Sequence, residues 1–233
     1  THPTSSAASD VYKRQVFIDD LKYFDYETIK SPLEKSPWAE SKYKTTNFSK
    51  EFEDYNKKMR TAAYVVIQND TIIGEKYYED YSVNSSTNSF SMAKTPVSLM
   101  MAKAFEQGYI NSLEDKVIDY IPELKGEFAN DVKIIDLAAM TSGIDWDEGT
   151  SNPFSPVAKQ YFYEDLDKLM LDQKFIDEPS KTYKYSSGNT QILSMVIEKA
   201  TGMKTNDYFE KEFWSKINPD NDAYWQIDSK ESG

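Results

Sequence analysis

FSMAKTPVSLMMAKAFEQG, residues 90–108, has the features of a helix inside a protein. Pro96 is compatible with a helix only near its first turn, which places the predicted helix start close to Ser91. Gly108 is a typical residue to follow the end of a helix. The apolar residues of this helix are distributed nearly all round it, as in a buried helix: Met92, Val97, Leu99, Met100, Met101, Ala102 and Phe105.

Ser91 and Lys94 have a spacing that suits nucleophilic catalysis. Positions i and i+3 lie on one face of a helix, so the lysine amine is predicted to lie one turn from the serine hydroxyl. The positive end of the helix dipole disfavours a second positive charge there and so favours the neutral amine. A neutral lysine can accept the serine proton, and the backbone N–H of Ser91 can face a developing oxyanion.

The same spacing occurs twice in this chain. Ser41 and Lys44 also match it, but they lie in a polar segment with no apolar helix behind it, and we interpret them as solvated surface. A structural interpretation exists for the other pair as well, with Ser91 as a helix N-cap and Lys94 as a solvated side chain. The spacing alone favours that structural interpretation, so the other motifs of the chain must decide between the two.

The composition excludes several classes of enzyme and partner. The 233 residues are 39% hydrophobic, which is enough for one large domain with a packed core. The chain has no cysteine and a single histidine, His2, so thiol catalysis, disulfides, His-rich metal sites and a Ser-His-Asp triad are not expected. The net charge of −12 argues against nucleic acid or an anionic membrane as a partner. No run of about eighteen apolar residues occurs, so no membrane-spanning segment is expected.

The remaining patterns predict a mixed α+β domain. Residues 1–15 are interpreted as a non-native or disordered leader, and residues 16–60 as an irregular lead-in with one short helix. Two β-branched runs, 62–68 and 71–79, flank Asn69-Asp70, a pattern typical of an antiparallel hairpin. Further helices are predicted over residues 132–140, 158–173, 190–201 and 205–216.

A second group of candidate residues precedes the helix predicted at 190–201. Tyr185, if it lies near a lysine cation, can act as a proton relay, although most of the 17 tyrosines are expected to pack through their rings. Asn189 is also explained as the N-cap of that helix, and Thr141-Ser142-Gly143 as a helix end followed by a turn. The neighbouring acidic residues lack the spacing of a calcium loop and are predicted to be solvated: Asp145, Asp147, Glu148 and Glu178.

Together, in this order, the motifs resemble the serine β-lactamase and DD-peptidase superfamily. The resemblance covers about residues 60–215. Its class C-like branch, with esterases and 6-aminohexanoate-oligomer hydrolases, is the most similar. The resemblance implies an α+β fold of the β-lactamase/transpeptidase type, with an antiparallel sheet flanked by helices, a mostly helical lobe, and the site in the cleft between them. The segments that carry it are the hairpin, Phe90-Ser91-Met-Ala-Lys94, Ile134-Ile-Asp-Leu-Ala-Ala-Met-Thr-Ser-Gly143, Tyr185-Ser-Ser-Gly-Asn-Thr-Gln-Ile-Leu193 and Glu198-Lys-Ala-Thr-Gly202.

The resemblance implies a serine hydrolase that acts through a covalent acyl-enzyme on an ester, an amide or a β-lactam. It implies that Ser91 is the acylated nucleophile, Lys94 its activating partner, and Tyr185 the base that also protonates the leaving group. Ser187 and Asn189 are the expected substrate-binding residues. Ser187 stands where class C β-lactamases carry the asparagine of Tyr-x-Asn, and this departure favours esters and linear amides. No cofactor or metal is expected, and the implied partner is a small-molecule or short-peptide substrate.

One motif of the family has no counterpart in this chain. The family carries Lys or His, a small residue and Gly on a strand beside the site, whereas here Lys204-Thr205 is followed by Asn206. We therefore expect residues 61–233 to form an incomplete serine hydrolase domain, truncated before its C-terminal strands and inactive if the motif is essential. The alternative is a catalytically inactive β-lactamase-like binding module for peptidoglycan-type peptides. Family analogy predicts a periplasmic or other extracytoplasmic location.

Overall fold

The structure, a computed structural model, describes residues 17–149, 152, 154–161 and 163–228. Its strands are β1 (Tyr26–Ile29), β2 (Ala39–Thr45), β3 (Ala63–Gln68), β4 (Thr71–Tyr77) and β5 (Ala223–Gln226). Its α-helices are α1 (Lys50–Met59), α2 (Lys94–Glu106), α3 (Ile134–Ala138), α4 (Pro156–Lys159), α5 (Leu166–Leu171), α6 (Ser187–Thr201), α7 (Thr205–Phe209) and α8 (Ser215–Ile217). Short 3₁₀ turns lie at Asp20–Tyr23, Phe90–Ala93 and Val117–Asp119, and a π-helical turn, Glu210–Trp214, joins α7 to α8.

β3 and β4 form the predicted antiparallel hairpin, with Ala63 opposite Tyr77 at its open end. Asn69 and Asp70 have φ values of 49° and 55°. Positive φ at both central residues is what a two-residue type I′ turn requires, and Asn and Asp tolerate it better than most residues. β2 adds in parallel to the other edge of β4, so the sheet has the order β2-β4-β3 and is mixed.

The segment before the hairpin contains more regular structure than the sequence predicts. β1 pairs antiparallel with β5, with Tyr26 opposite Gln226, and therefore joins two distant parts of the chain. The predicted short helix is α1, whose N-cap Ser49 accepts a hydrogen bond from the Phe52 N–H at 3.2 Å. β1 and β2 are short and polar, so their sequences lack an alternating apolar pattern. The predicted leader, residues 1–15, lies outside the described residues.

The helices α2 and α6 pack against each other at the centre of the helical part. Their contact buries apolar residues of both helices, among them Met100 of α2 and Val196 of α6. The prediction that α2 is buried all round is wrong, because Leu99 and Phe105 are about half exposed on its other side. Within the described ranges, no helix combines the length and the apolar character that crossing a membrane requires.

The helix predicted over residues 158–173 is two shorter helices, α4 and α5. Ser155 caps α4, with its Oγ accepting from the Ala158 N–H at 3.2 Å, and Pro156 follows at the first helical position. Asp165 caps α5 by accepting from the Lys168 N–H at 2.8 Å. Each cap satisfies a backbone donor that the start of a helix leaves free, and the second cap therefore begins a new helix inside the predicted one.

Candidate active site

The start of α2 brings Ser91 and Lys94 together, as their spacing predicts. The 3₁₀ turn Phe90–Ala93 leads directly into α2. Lys94 Nζ donates a hydrogen bond to Ser91 Oγ at 3.1 Å. Ser91 is exposed and Lys94 is half-buried. The accessible hydroxyl thus has an amine at hydrogen-bond distance, which is the arrangement that a serine nucleophile and its activating group require.

Phe90, directly before Ser91, has an unusual backbone conformation. Its φ is +45°, in the left-handed region that bulky residues rarely adopt. Asn88 supports this conformation, because its Oδ1 accepts a hydrogen bond from the Phe90 N–H at 2.7 Å. Strained residues of this kind are concentrated at functional sites. Here the strain lies where the chain turns to present the Ser91 side chain.

Tyr185 meets Lys94 through its aromatic ring. Lys94 Nζ lies 5.0 Å from the ring centroid, within the range of a cation–π interaction. The tyrosine is 41% exposed, and within the described residues its hydroxyl makes no hydrogen bond. The structure therefore brings together the three residues that the sequence suggests for catalysis. A proton transfer through the Tyr185 hydroxyl requires hydrogen-bond contact with the reacting groups, either directly or through one water.

The second pair with the same spacing, Ser41 and Lys44, lies on β2 and has other partners. Lys44 Nζ forms ion pairs with Glu75 at 2.8 Å and with Glu40 at 2.9 Å. Hydrogen bonds to these carboxylates, first to Glu75 and then to Glu40, raise the pKa of Lys44 and so favour its charged form. Ser41 is half-buried rather than fully solvated, and its Oγ accepts from the Tyr43 N–H. This pair therefore lacks a free amine.

Backbone contacts fix the loop that carries Tyr185. The Lys184 N–H donates to the Met140 carbonyl oxygen at 2.9 Å. Gly143 has a φ of 74°, and a Cβ at this position would overlap the carbonyl group of Asp177. A glycine is therefore needed for both its backbone conformation and its close approach. The segment Thr141-Ser142-Gly143, predicted to be a helix end followed by a turn, thus also holds the Tyr185 loop in place.

Asn189 is predicted to bind substrate or to cap α6, and the structure shows that it is not the N-cap. The N-cap of α6 is Ser186, whose Oγ accepts from the Asn189 N–H at 3.2 Å. Asn189 is buried, and its Oδ1 accepts from the Ser142 hydroxyl at 2.5 Å. Because it follows Ser187 by two positions in a helix, it points towards a different side. Asn189 is therefore a buried residue that is hydrogen-bonded to the turn holding the Tyr185 loop.

A large cavity has Ser91, Lys94 and Ser187 in its wall, and its volume is about 1730 Å³. Lys94 is the only lysine or arginine among the described residues that line it. Several carboxylates line the same cavity, so its wall carries excess negative charge. Among them are Glu148, Glu164, Asp167 and Glu198.

Glu148 lines the cavity, whereas the sequence pattern predicts a solvated side chain without a role in the site. Its carboxylate accepts hydrogen bonds from Trp146 Nε1–H at 2.8 Å, from the backbone N–H of Ser187, and from the Ser187 hydroxyl at 3.2 Å. Trp146 is only 1% exposed. No local pattern marks Glu148, because Ser187 lies on α6, far along the chain.

Gly188 allows α6 to approach Trp146. A Cβ at position 188 would lie 2.5 Å from Cε3 of the indole. We expect Gly188→Ala to lower the free energy of unfolding by about 1–3 kcal/mol, as overpacking of a core does. Denaturant unfolding followed by circular dichroism measures this. Gly74→Ala is the control, because its nearest neighbours are 3.4 Å away. Equal effects of the two substitutions would contradict the close packing of Gly188 on Trp146.

Asp167, in the cavity wall, has a raised pKa, first because of burial and then because of the negative charges of Asp228 and Asp165. An acid with a higher pKa in the folded state binds more protons there than when unfolded, so stability falls as pH rises through the interval between the two pKa values. We expect Asp167→Asn to raise the melting temperature at pH 7 and to do so less at pH 4. Thermal unfolding at both pH values measures this.

The matched control for Asp167→Asn is the same change at the exposed Asp119, which also removes one carboxylate. A lower melting temperature of Asp167→Asn than of the unmodified chain at pH 7 would contradict the expected result. The same increase in both variants would assign the effect to net charge, not to the environment of Asp167.

Comparison with known proteins reveals relatives of most of the chain. A family model described as Beta-lactamase matches residues 48–229. A 6-aminohexanoate-dimer hydrolase of Paenarthrobacter ureafaciens is 22% identical over 183 residues, which are 72% of this chain and 45% of that protein. The chain therefore spans about half the length of this curated relative.

Solved structures share the fold. A Bacillus anthracis protein, for which 6-aminohexanoate-dimer hydrolase activity has been suggested, superposes with a TM-score of 0.78 at 19% identity, covering 94% of this chain and 62% of its own. A penicillin-binding protein homologue of Pyrococcus abyssi, an octamer, has a TM-score of 0.52 at 18% identity, covering 70% of this chain and 40% of its own. The fold implied by the sequence motifs is thereby confirmed.

Proposed function

Because the chain belongs to the beta-lactamase family, we propose that it is a serine hydrolase that forms a covalent acyl-enzyme on Ser91. The observation that carries the proposal is the hydrogen bond of 3.1 Å between Lys94 Nζ and Ser91 Oγ in the wall of the large cavity. The hydrolase names of two relatives support the reaction class.

In the proposed reaction, the neutral Lys94 amine accepts the hydroxyl proton of Ser91 while Oγ attacks the carbonyl carbon of the substrate. The Ser91 N–H donates to the oxyanion of the tetrahedral intermediate. The bond to the leaving alcohol or amine then breaks as Tyr185 gives its hydroxyl proton to this group and takes up in its place the proton that Lys94 received from Ser91. Water then attacks the resulting ester on Ser91 and gives a proton to the neutral Lys94 amine. The bond from the acyl carbon to Ser91 Oγ breaks, Oγ takes up this proton, and the acid is released.

Linear amides and esters are the substrates we propose, ahead of β-lactams. Two features support this choice: Ser187 in place of the asparagine of Tyr-x-Asn, and the name of the Paenarthrobacter ureafaciens relative, a 6-aminohexanoate-dimer hydrolase. Binding of substrate by Ser187, the incomplete domain over residues 61–233 and an extracytoplasmic location stay predictions from the resemblance.

A panel of chromogenic substrates tests the function. The chain is mixed with a 4-nitrophenyl ester, a linear 4-nitroanilide and a chromogenic β-lactam, and release of the leaving group is followed from the first milliseconds. We expect turnover of the ester and the anilide to exceed that of the β-lactam, with an initial burst of at most one leaving group per chain. Binding of these compounds without any release would favour the alternative, an inactive binding module.

A further inference from the structure

Glu148 and Ser187 form a hydrogen-bonded pair in the wall of the candidate active-site cavity. Glu148 Oε1 accepts from the N–H groups of Ser187 and of the Trp146 indole, and Oε2 accepts from the Ser187 hydroxyl at 3.2 Å. Three donors thus hold the carboxylate in one orientation. The pair therefore has a fixed geometry, unlike a surface carboxylate that rotates freely in water.

This bonding decides what the pair can offer to a substrate. A serine hydroxyl has one proton, and here the proton is directed to Glu148, so the lone pairs of the Ser187 oxygen remain as acceptors. An ionised carboxylate has acceptor sites only, and the three donors leave part of its capacity free. The wall at this point presents acceptors and a negative charge, and no donor from these two side chains.

The residues around the pair do not offset the negative charge of Glu148. Tyr161, which also lines the cavity, has a pKa raised first by burial and then by the negative charge of Glu148. Lys94, the only lysine or arginine of the described wall, already donates to Ser91. A substrate carboxylate placed beside Glu148 would meet a like charge, and Glu148 itself accepts no hydrogen bond from a lysine or arginine among the described residues, so this placement is unfavourable.

Ser187 of the pair is also close in sequence to Tyr185, one of the proposed catalytic residues. Ser187 follows Tyr185 by two residues, the Tyr185 ring lies 5.0 Å from Lys94 Nζ, and Lys94 is bonded to Ser91. A substrate whose carbonyl carbon is at Ser91 can therefore extend along the same cavity towards the pair. The group that reaches the pair would then belong to the substrate itself.

We propose that Glu148 and Ser187 form a specificity-determining pair that selects substrates with an ammonium or amide N–H group at this wall and disfavours those with a carboxylate there. This inference rests on the proposed function, because it assumes that the cavity beside Ser91 is where substrate binds. It narrows the substrates to linear amides and esters with a hydrogen-bond donor a few atoms from the scissile carbonyl.

Binding measurements test the inference without depending on turnover. The anilides of 5-aminopentanoic acid and of glutaric acid have chains of matched length that end in an ammonium and in a carboxylate. Isothermal titration calorimetry on the Ser91→Ala chain gives the dissociation constant of each. We expect the ammonium ligand to bind about tenfold more tightly, the size of effect that a neighbouring charge has on a titration equilibrium.

Two matched variants locate the preference. Glu148→Gln removes the charge and keeps the size of the side chain, and we expect it to reduce the ratio of the two dissociation constants to about twofold or less. Glu164→Gln makes the same change elsewhere in the cavity wall and is expected to keep the ratio. A general perturbation of α6 would weaken both ligands equally and leave the ratio unchanged.

Several results would overturn the inference: no binding of either ligand, equal binding of both, an unchanged ratio in Glu148→Gln, or an equal loss of preference in Glu164→Gln. Labelling of the unmodified chain by a fluorophosphonate separates this failure from failure of the proposed function. A chain labelled at Ser91 without any preference for the ammonium ligand would refute only the selectivity of the pair.

Discussion

Replacing Ser91 by alanine is expected to abolish covalent labelling by a fluorophosphonate, which reacts with activated serine hydroxyls. We assign the role of nucleophile to Ser91 Oγ, which lies 3.1 Å from Lys94 Nζ. Alanine removes that oxygen, so no phosphonylated product can form there. Intact mass spectrometry after incubation gives the number of adducts per chain: one for the unmodified protein and none for Ser91→Ala.

Ser41→Ala is the matched control for this substitution, because Ser41 also precedes a lysine by three positions. Its partner Lys44 is bound by two carboxylates, so Ser41→Ala is expected to keep the full adduct. Circular dichroism confirms that each variant is folded. Labelling that persists in Ser91→Ala, or that is lost in Ser41→Ala, would contradict the assignment of Ser91 as the nucleophile.

Lys94→Met is expected to lower the rate of labelling about 10³-fold, within the usual range for loss of a general base. Methionine keeps much of the length and apolar volume of the lysine side chain but cannot accept the Ser91 proton. It also removes the amine group that faces the Tyr185 ring. The second-order rate constant, from the time course of adduct formation, measures the effect.

Lys103→Met is the control for Lys94→Met. Lys103 lies on the same helix and pairs with Glu106 at 2.6 Å, so the chemical change is identical but remote from Ser91. We expect its labelling rate to stay within about twofold of the unmodified chain. A rate for Lys94→Met close to that of Lys103→Met would show that the amine does not activate the serine.

The local parts of the fold and site are predictable from the sequence. The β3–β4 hairpin follows from two β-branched runs around Asn69-Asp70, whose positive φ values fit the turn. The contact between Ser91 and Lys94 follows from helical spacing and from Pro96 near the first turn. In both cases the interacting residues are close in sequence, and the spacing of residue types then predicts which side chains lie together.

The long-range parts are not predictable in the same way. β1 pairs with β5 across almost the whole described chain, and neither strand has an alternating apolar pattern. The sequence predicts a solvated Glu148, because nothing near it in the chain indicates that Ser187, on a distant helix, is its hydrogen-bond partner. The buried contact of Asn189 is also a long-range one, because its Oδ1 accepts a hydrogen bond from the Ser142 hydroxyl. Such contacts are set by tertiary packing, which a single sequence does not encode locally.

Peptide mapping of the fluorophosphonate-labelled chain tests the central claim most directly. Cleavage by trypsin releases residues 77–94, which include Ser91, and separately residues 36–42, which include Ser41. Fragmentation of the labelled peptide then locates the modified side chain. We predict one adduct, on Ser91. An adduct on Ser41 or on any other residue, or a folded chain without an adduct, would contradict the claim that Ser91 is an activated nucleophile.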